Sequence, residues 1–167
     1  MRWHVLLFAC ASAFASSAVA DTKLSGSVDC DPRKPAWILP VPDDPAGHVF
    51  VLEQRKCRWT KPWTIAGSET TENMHITFIE VSNAGVRTTS VAVTTHANGD
   101  KTFVHSEGKP GSGGSTDEWT YTDGTGKLQG IEGQGTSTCR MKGDDPDGGL
   151  TCNITGSYGL SAPKKKP

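Results

Sequence analysis

Helical periodicity, long apolar runs and clustered charge are all scarce in this chain. After the first 20 residues no segment repeats apolar residues every 3.6 positions, which excludes a helical bundle and an α/β design built on amphipathic crossover helices. No apolar stretch is long enough for a transmembrane helix. The 17 basic and 18 acidic residues nearly cancel, and no basic face is concentrated enough for nucleic acid. A P-loop, a dinucleotide fingerprint and a nucleophile elbow are missing. No CxxC pair suits a zinc site, and no two histidines have metal-helix spacing. No metal and no cofactor are therefore expected.

Residues 1–20 read as a signal peptide. Arg2 supplies a positive start, Val5 to Ala15 is mostly apolar, and Ala18-Val-Ala20 is a small-residue cleavage site before Asp21. The alternative, an acylation box at Leu7-Phe-Ala-Cys10, would leave almost no apolar segment ahead of the cysteine. The mature chain is then one domain over 21–160 with a basic tail at 161–167, and the expected location is periplasmic or secreted. Four of the five cysteines remain: Cys30, Cys57, Cys139 and Cys152. An even number in an exported chain points to two disulfides. Cys139 and Cys152 lie symmetrically about Asp145 and Pro146, so antiparallel strands joined there would set them opposite each other. Cys30–Cys57 follows by elimination.

What the chain has in abundance is turn chemistry and alternation. With 19 glycines and short period-two segments, it reads as an all-β domain. Strands are expected over 22–28, 48–59, 74–82 and 86–96, and from 117 to 121. Asn98-Gly99 and Asp123-Gly124 have the composition of two-residue hairpin turns. Centring one hairpin on Asn98-Gly99 puts Val91, Val93 and Val104 on the inner face and His96, Phe103 and His105 on the other. Trp119 and Tyr121 share a face, as do Ile131, Gly133 and Gly135. Five prolines between Pro32 and Pro45 predict an irregular loop over 32–47, whose Trp37, Ile38 and Leu39 either staple it to the body or cover a cavity mouth. Residues 108–114 predict a mobile glycine-serine rim. About eight strands joined by short hairpins make a single antiparallel, calycin-like β-barrel, with room for side chains or one small ligand.

The segments Asn98-Gly-Asp-Lys-Thr-Phe103 and Trp119-x-Tyr-x-x-Gly-Thr-Gly-Lys-Leu-x-Gly-Ile-x-Gly-x-Gly135 resemble the bacterial exported proteins of the allene oxide cyclase barrel-like group. These are relatives of plant allene oxide cyclases and dirigent proteins. The resemblance spans about residues 74–138, with Leu128 where an aromatic is common. It implies the barrel, and a hydrophobic substrate steered within it. None of the working residues of those enzymes carries over to a matching position here.

Chemistry must then be sought residue by residue. Trp59, Trp63, Phe78, Trp119 and Tyr121 form the aromatic set expected to line a ligand site. Trp59 and Trp63 also suit a plug. Glu53 and Glu80 share strand faces with apolar residues, so an inward carboxylate there would be a weak candidate for acid-base work. Asp144-Asp-Pro-Asp147 reads as a turn rather than a calcium loop, for it lacks the distal glutamate. The sequence leans away from catalysis and toward binding of a small hydrophobic or aromatic ligand. Two alternatives stand beside it: a cyclase- or dirigent-type enzyme, and a filled barrel serving as a structural or interaction module of the envelope. The oligomeric state is not legible.

Overall fold

A computed structural model describes residues 21–161 apart from 35, 45, 46, 112 and 146. The leader and nearly all of the basic tail lie outside the described residues. Ten strands follow in order: β1 Thr22–Cys30, β2 Ala36–Pro40, β3 Val49–Lys61, β4 Thr64–Ile65, β5 Ser68–Ser82, β6 Gly85–His96, β7 Lys101–Gly111, β8 Gly114–Gly124, β9 Ile131–Met141 and β10 Leu150–Leu160. Eight of them close into an antiparallel barrel, each hydrogen-bonded to the next in the circuit β1, β10, β9, β8, β7, β6, β5, β3 and back to β1. Closure leaves no open edge in the cylinder itself.

Strand β3 shows how closure is reached. One edge pairs with β5 from Val49 to Arg58. The other edge is shared, β2 taking Val49–Glu53 and β1 taking Cys57–Lys61. The proline segment therefore holds a short strand, where an irregular loop was expected. Pro40 ends β2, where its missing N–H costs least. Trp37, Ile38 and Leu39 are fastened to β3 by backbone pairing with Leu52, Val51 and Phe50, but they stand 51%, 66% and 59% exposed.

Three further expectations are corrected by the turns. The β6–β7 hairpin is a three-residue loop, Ala97-Asn98-Gly99, closed by His96 N–H donating to the Asp100 carbonyl at 2.9 Å, with Gly99 at φ 86°. Such a loop shifts the centre of pairing by half a residue relative to a two-residue turn. Val93 thus opposes Phe103, and Thr94 opposes Thr102. That slip exchanges the faces of β6: Ser90, Ala92, Thr94 and His96 are buried, while Val91 is exposed. His96 and His105 consequently lie on opposite faces, with Val104 inward as expected.

Asp123-Gly124, by contrast, is not a turn. It ends β8, and the chain crosses to β9 through a 3-10 turn at Gly126–Leu128. The two-residue hairpin with both central φ angles positive is Ala66-Gly67, at 50° and 79°, joining β4 to β5. Of the residues expected to form a glycine-serine rim, 108–111 extend β7 and 114 begins β8, pairing as far as Gly111 with Gly114.

Inside, the barrel divides along its axis. At one end the β4 hairpin folds inward, so Trp63 and Ile65 join Leu24, Trp119, Leu128 and Ile131, with Trp59, Tyr121 and Tyr158 against them. Trp59, Trp63, Trp119 and Tyr121 form a chain of ring contacts, with centroids 4.7, 5.8 and 5.3 Å apart. The glycines of β9 and β10 make this possible: the Trp119 ring lies against Gly135 and Gly156, where a β-carbon would collide with it. Burying one indole removes roughly 200 Å² from water, at most about 5 kcal/mol before entropy is counted. The other end of the cylinder is not filled.

Candidate functional site

Alternation decides what faces the unfilled end. On β3 the inward series is Glu53, Arg55, Cys57; on β5 it is Asn73, His75, Thr77, Ile79; on β8 it is Ser115 and Asp117 ahead of Trp119. These side chains enclose a cavity of about 300 Å³, at the small end of ligand sites. Val28, Ile79, Met141, Leu150 and Ile154 supply apolar wall. Both predicted disulfides are formed and belong to it. Cys30–Cys57 bridges β1 and β3, and Cys139–Cys152 bridges β9 and β10, with Cα atoms 3.9 and 4.0 Å apart. In the chain-entropy view loops of this size are worth about 3 kcal/mol each.

One wall carries a charge network. Buried Glu53 accepts from Arg55 Nε at 3.1 Å and from Arg33 Nη1 at 3.3 Å. Arg33 also donates from Nε to Asp147 at 2.6 Å. Burial works against the Arg33 cation, but Asp147 and Glu53 outweigh it and hold its pKa above the ordinary value. Arg55, 6% exposed, donates from Nη1 to the Gly148 carbonyl at 2.7 Å and to that of Asp31 at 3.2 Å. A buried guanidinium so placed ties together the two loops beside the cavity mouth, and removing it would leave Glu53 with Arg33 as its one remaining cation in a poor solvent.

The opposite wall carries Asp117. Its Oδ2 accepts from Ser115 Oγ at 2.9 Å and from Ser137 Oγ at 3.3 Å. Its Oδ1 occupies space over Gly108 that a β-carbon would fill, beside Thr88 Oγ1. Gly108 has no positive φ, so glycine is required there for room and not for backbone freedom. His75 completes the set, with Nδ1 3.3 Å from Thr77 Oγ1. Enclosure in the barrel pushes its pKa down, with Arg55 adding to the effect and Asp117 and Glu53 opposing it. It is neutral at pH 7.

The structure distributes the sequence candidates unevenly. Glu53 lines the cavity, but as the hub of an ion network. Glu80 is on the outer face, 3.1 Å from His48 Nε2. Trp59, Trp63, Trp119 and Tyr121 pack one another in the filled half and do not line the cavity. Burial there pushes the Tyr121 hydroxyl far up, so it stays protonated. Phe78 stands 43% exposed on the outside, stacked on Phe50 at 5.2 Å. Asp145 and Asp147 lie in a polar connection between β9 and β10, with Asp147 N–H donating to Asp145 Oδ1; Pro146 of the expected turn lies outside the described residues. No group of three His, Cys, Asp or Glu side chains able to hold a metal occurs among the described residues.

Asp117 and His75 are the residues sequence reading missed. The signal for Asp117 was present: it shares parity with Trp119 and Tyr121, already assigned inward. For His75 the pattern misleads. Met74, Ile76 and Phe78 make the more apolar face of β5, yet that face points outward with Leu52 and Val91.

No protein-family profile matches the sequence, and no curated protein matches it. Among solved structures the chain is similar to a pterocarpan synthase dirigent protein, at 13% identity and a TM-score of 0.53, covering 90% of this chain and 100% of that one. Identity at that level speaks to fold alone. The chain has a dirigent-like β-barrel.

Proposed function

We propose that this protein is an exported receptacle that holds one small, mostly apolar or aromatic molecule in the open half of its barrel, without transforming it. The observation that carries this reading is the cavity itself: about 300 Å³, walled by aliphatic side chains and disulfides, with a few polar groups on two opposing sides. Sites of that make-up bind the body of a ligand by burial and orient it by a few hydrogen bonds. The hollow end speaks against a filled structural module. Two disulfides accord with a location outside the reducing cytosol, where the leader over 1–20 would send the chain. The solved neighbour, a pterocarpan synthase dirigent protein, shares the barrel fold in which such a hollow can form.

A second reading, an enzyme of substrate-orienting type, draws on one observation. Asp117 and neutral His75 line the same cavity and could exchange a proton with a bound molecule. Glu53 is ill suited to that task, since both of its carboxyl oxygens are engaged by arginines, Oε1 by Arg55 and Oε2 by Arg33.

The test is native mass spectrometry of protein taken from its source, beside a Thr77→Phe variant that fills the cavity. A bound mass released on unfolding, and absent from the variant, is the expected result. Repeated isolation of the empty protein from its source, with no small aromatic molecule of any charge bound in titration, would refute the receptacle.

A further inference from the structure

Resting on the receptacle reading, the placement of charge narrows what the cavity takes. We propose that it selects a small molecule whose apolar body ends in an amine, and discriminates against carboxylates.

The two cations are used. Arg33 faces Glu53 and Asp147, and Arg55 faces Glu53 and the carbonyls of Asp31 and Gly148. Two arginines and two carboxylates cancel one another within this network. An incoming carboxylate would have to displace Glu53 from a buried, hydrogen-bonded pair, an exchange that leaves one anion unpaired in a poor solvent. His75 adds no positive charge, because enclosure keeps it neutral.

What remains is acceptor capacity. Asp117 has no cation within ion-pair distance among the described residues, and its two serine donors converge on Oδ2. Asn73 is 9% exposed and lines the cavity, and its Oδ1 has no donor. Thr88 Oγ1, beside Asp117 Oδ1, has no partner either. Buried acceptors without donors are costly, and a ligand that brings N–H groups relieves that cost. Among the described residues, the unpartnered buried donors Nε1 of Trp59, Trp63 and Trp119 and the Tyr121 hydroxyl belong to side chains of the filled half and do not border the cavity, whereas the Thr88 hydroxyl borders it and can accept as well as donate. An ammonium offers three donors and a charge opposite to that of Asp117; an alcohol offers one donor and no charge.

The experiment is isothermal titration of the disulfide-intact protein with three probes of one shape: 3-phenylpropylamine, 3-phenylpropanol and 3-phenylpropanoate at pH 7. The amine is expected to bind roughly tenfold tighter than the alcohol, and the carboxylate weakest. In Asp117→Asn the amine is expected to lose about tenfold while the alcohol stays within about threefold. Carboxylate binding as tight as that of the amine would overturn this inference while leaving the receptacle intact, and so would an Asp117→Asn variant that holds the amine unchanged. Binding of none of the three would overturn the inference and count against the receptacle as well. Should Asp117→Asn not fold, the order of the three probes on the unaltered protein decides.

Discussion

The two halves of this barrel use the same strands to opposite ends. On β8, Trp119 and Tyr121 face the closed half, while Ser115 and Asp117, on the same strand face, look into the cavity. On β3, Trp59 belongs to the plug while Glu53 and Arg55 belong to the cavity wall. The filled half is held by ring packing made possible by glycines. The hollow half is held by disulfides and an ion network that need no central packing. A cylinder of eight strands can leave part of its interior empty only if something other than a core secures that part.

If that division is right, substitutions in the two halves differ in size and kind. Trp119→Ala, at a ring 5% exposed, should cost about 3–5 kcal/mol in urea unfolding; a loss under about 1 kcal/mol would show that the plug is not the core. Replacing Cys139 and Cys152 by serine should cost about 3 kcal/mol, read from the thermal midpoint, since no central packing in that half makes up for the cross-link. Gly108→Ala should cost about 1–3 kcal/mol through crowding and displace the Asp117 carboxylate, which an amide chemical-shift map confined to β6–β8 would detect.

The pH dependence sharpens the contrast. Burial lowers the pKa of His75 in the hollow half and of His96 in the filled half. The unfolded chain, with histidines near 6.5, binds protons that the folded chain refuses. Stability should therefore be fully present above that pH and fall as the pH drops below it, until the folded-state values are passed. His75→Gln or His96→Gln should each flatten part of that slope, and an unchanged slope in both would rule the histidines out. The smallest effect is expected at Phe78→Ser on the outer face, roughly 0.5 kcal/mol; a loss of several kcal/mol would mean the outward face is covered.

Legibility in the sequence followed the same division. Trp119, Tyr121, Ile131 and the glycines after it were assigned to one face because alternation there is uninterrupted. The disulfide Cys139–Cys152 could be read from symmetry about a turn. Polarity failed as a guide on β5 and β6, where the inner face is the more polar one: Asn73, His75 and Thr77 on β5, Thr88 and Ser90 on β6. The usual rule, apolar inward, assumes a filled interior. In a strand that lines a cavity the rule weakens, and here an apolar outer face, with Ile76, Phe78 and Val91 exposed, reversed it outright.

By itself the sequence determined that the chain would be all-β, that its strands would close, and which cysteines would join, because these follow from alternation, glycine placement and spacing, which are local. The tertiary structure decided which residues meet across the hollow. A loop one residue longer than its Asn-Gly composition suggests turned β6 over, and the inward fold of the β4 hairpin settled which end would be plugged. The first is a local turn whose length the composition does not reveal, the second a contact between segments far apart in the chain, and only closure of the barrel brings Asp117, His75 and the Glu53–Arg55 pair around one space.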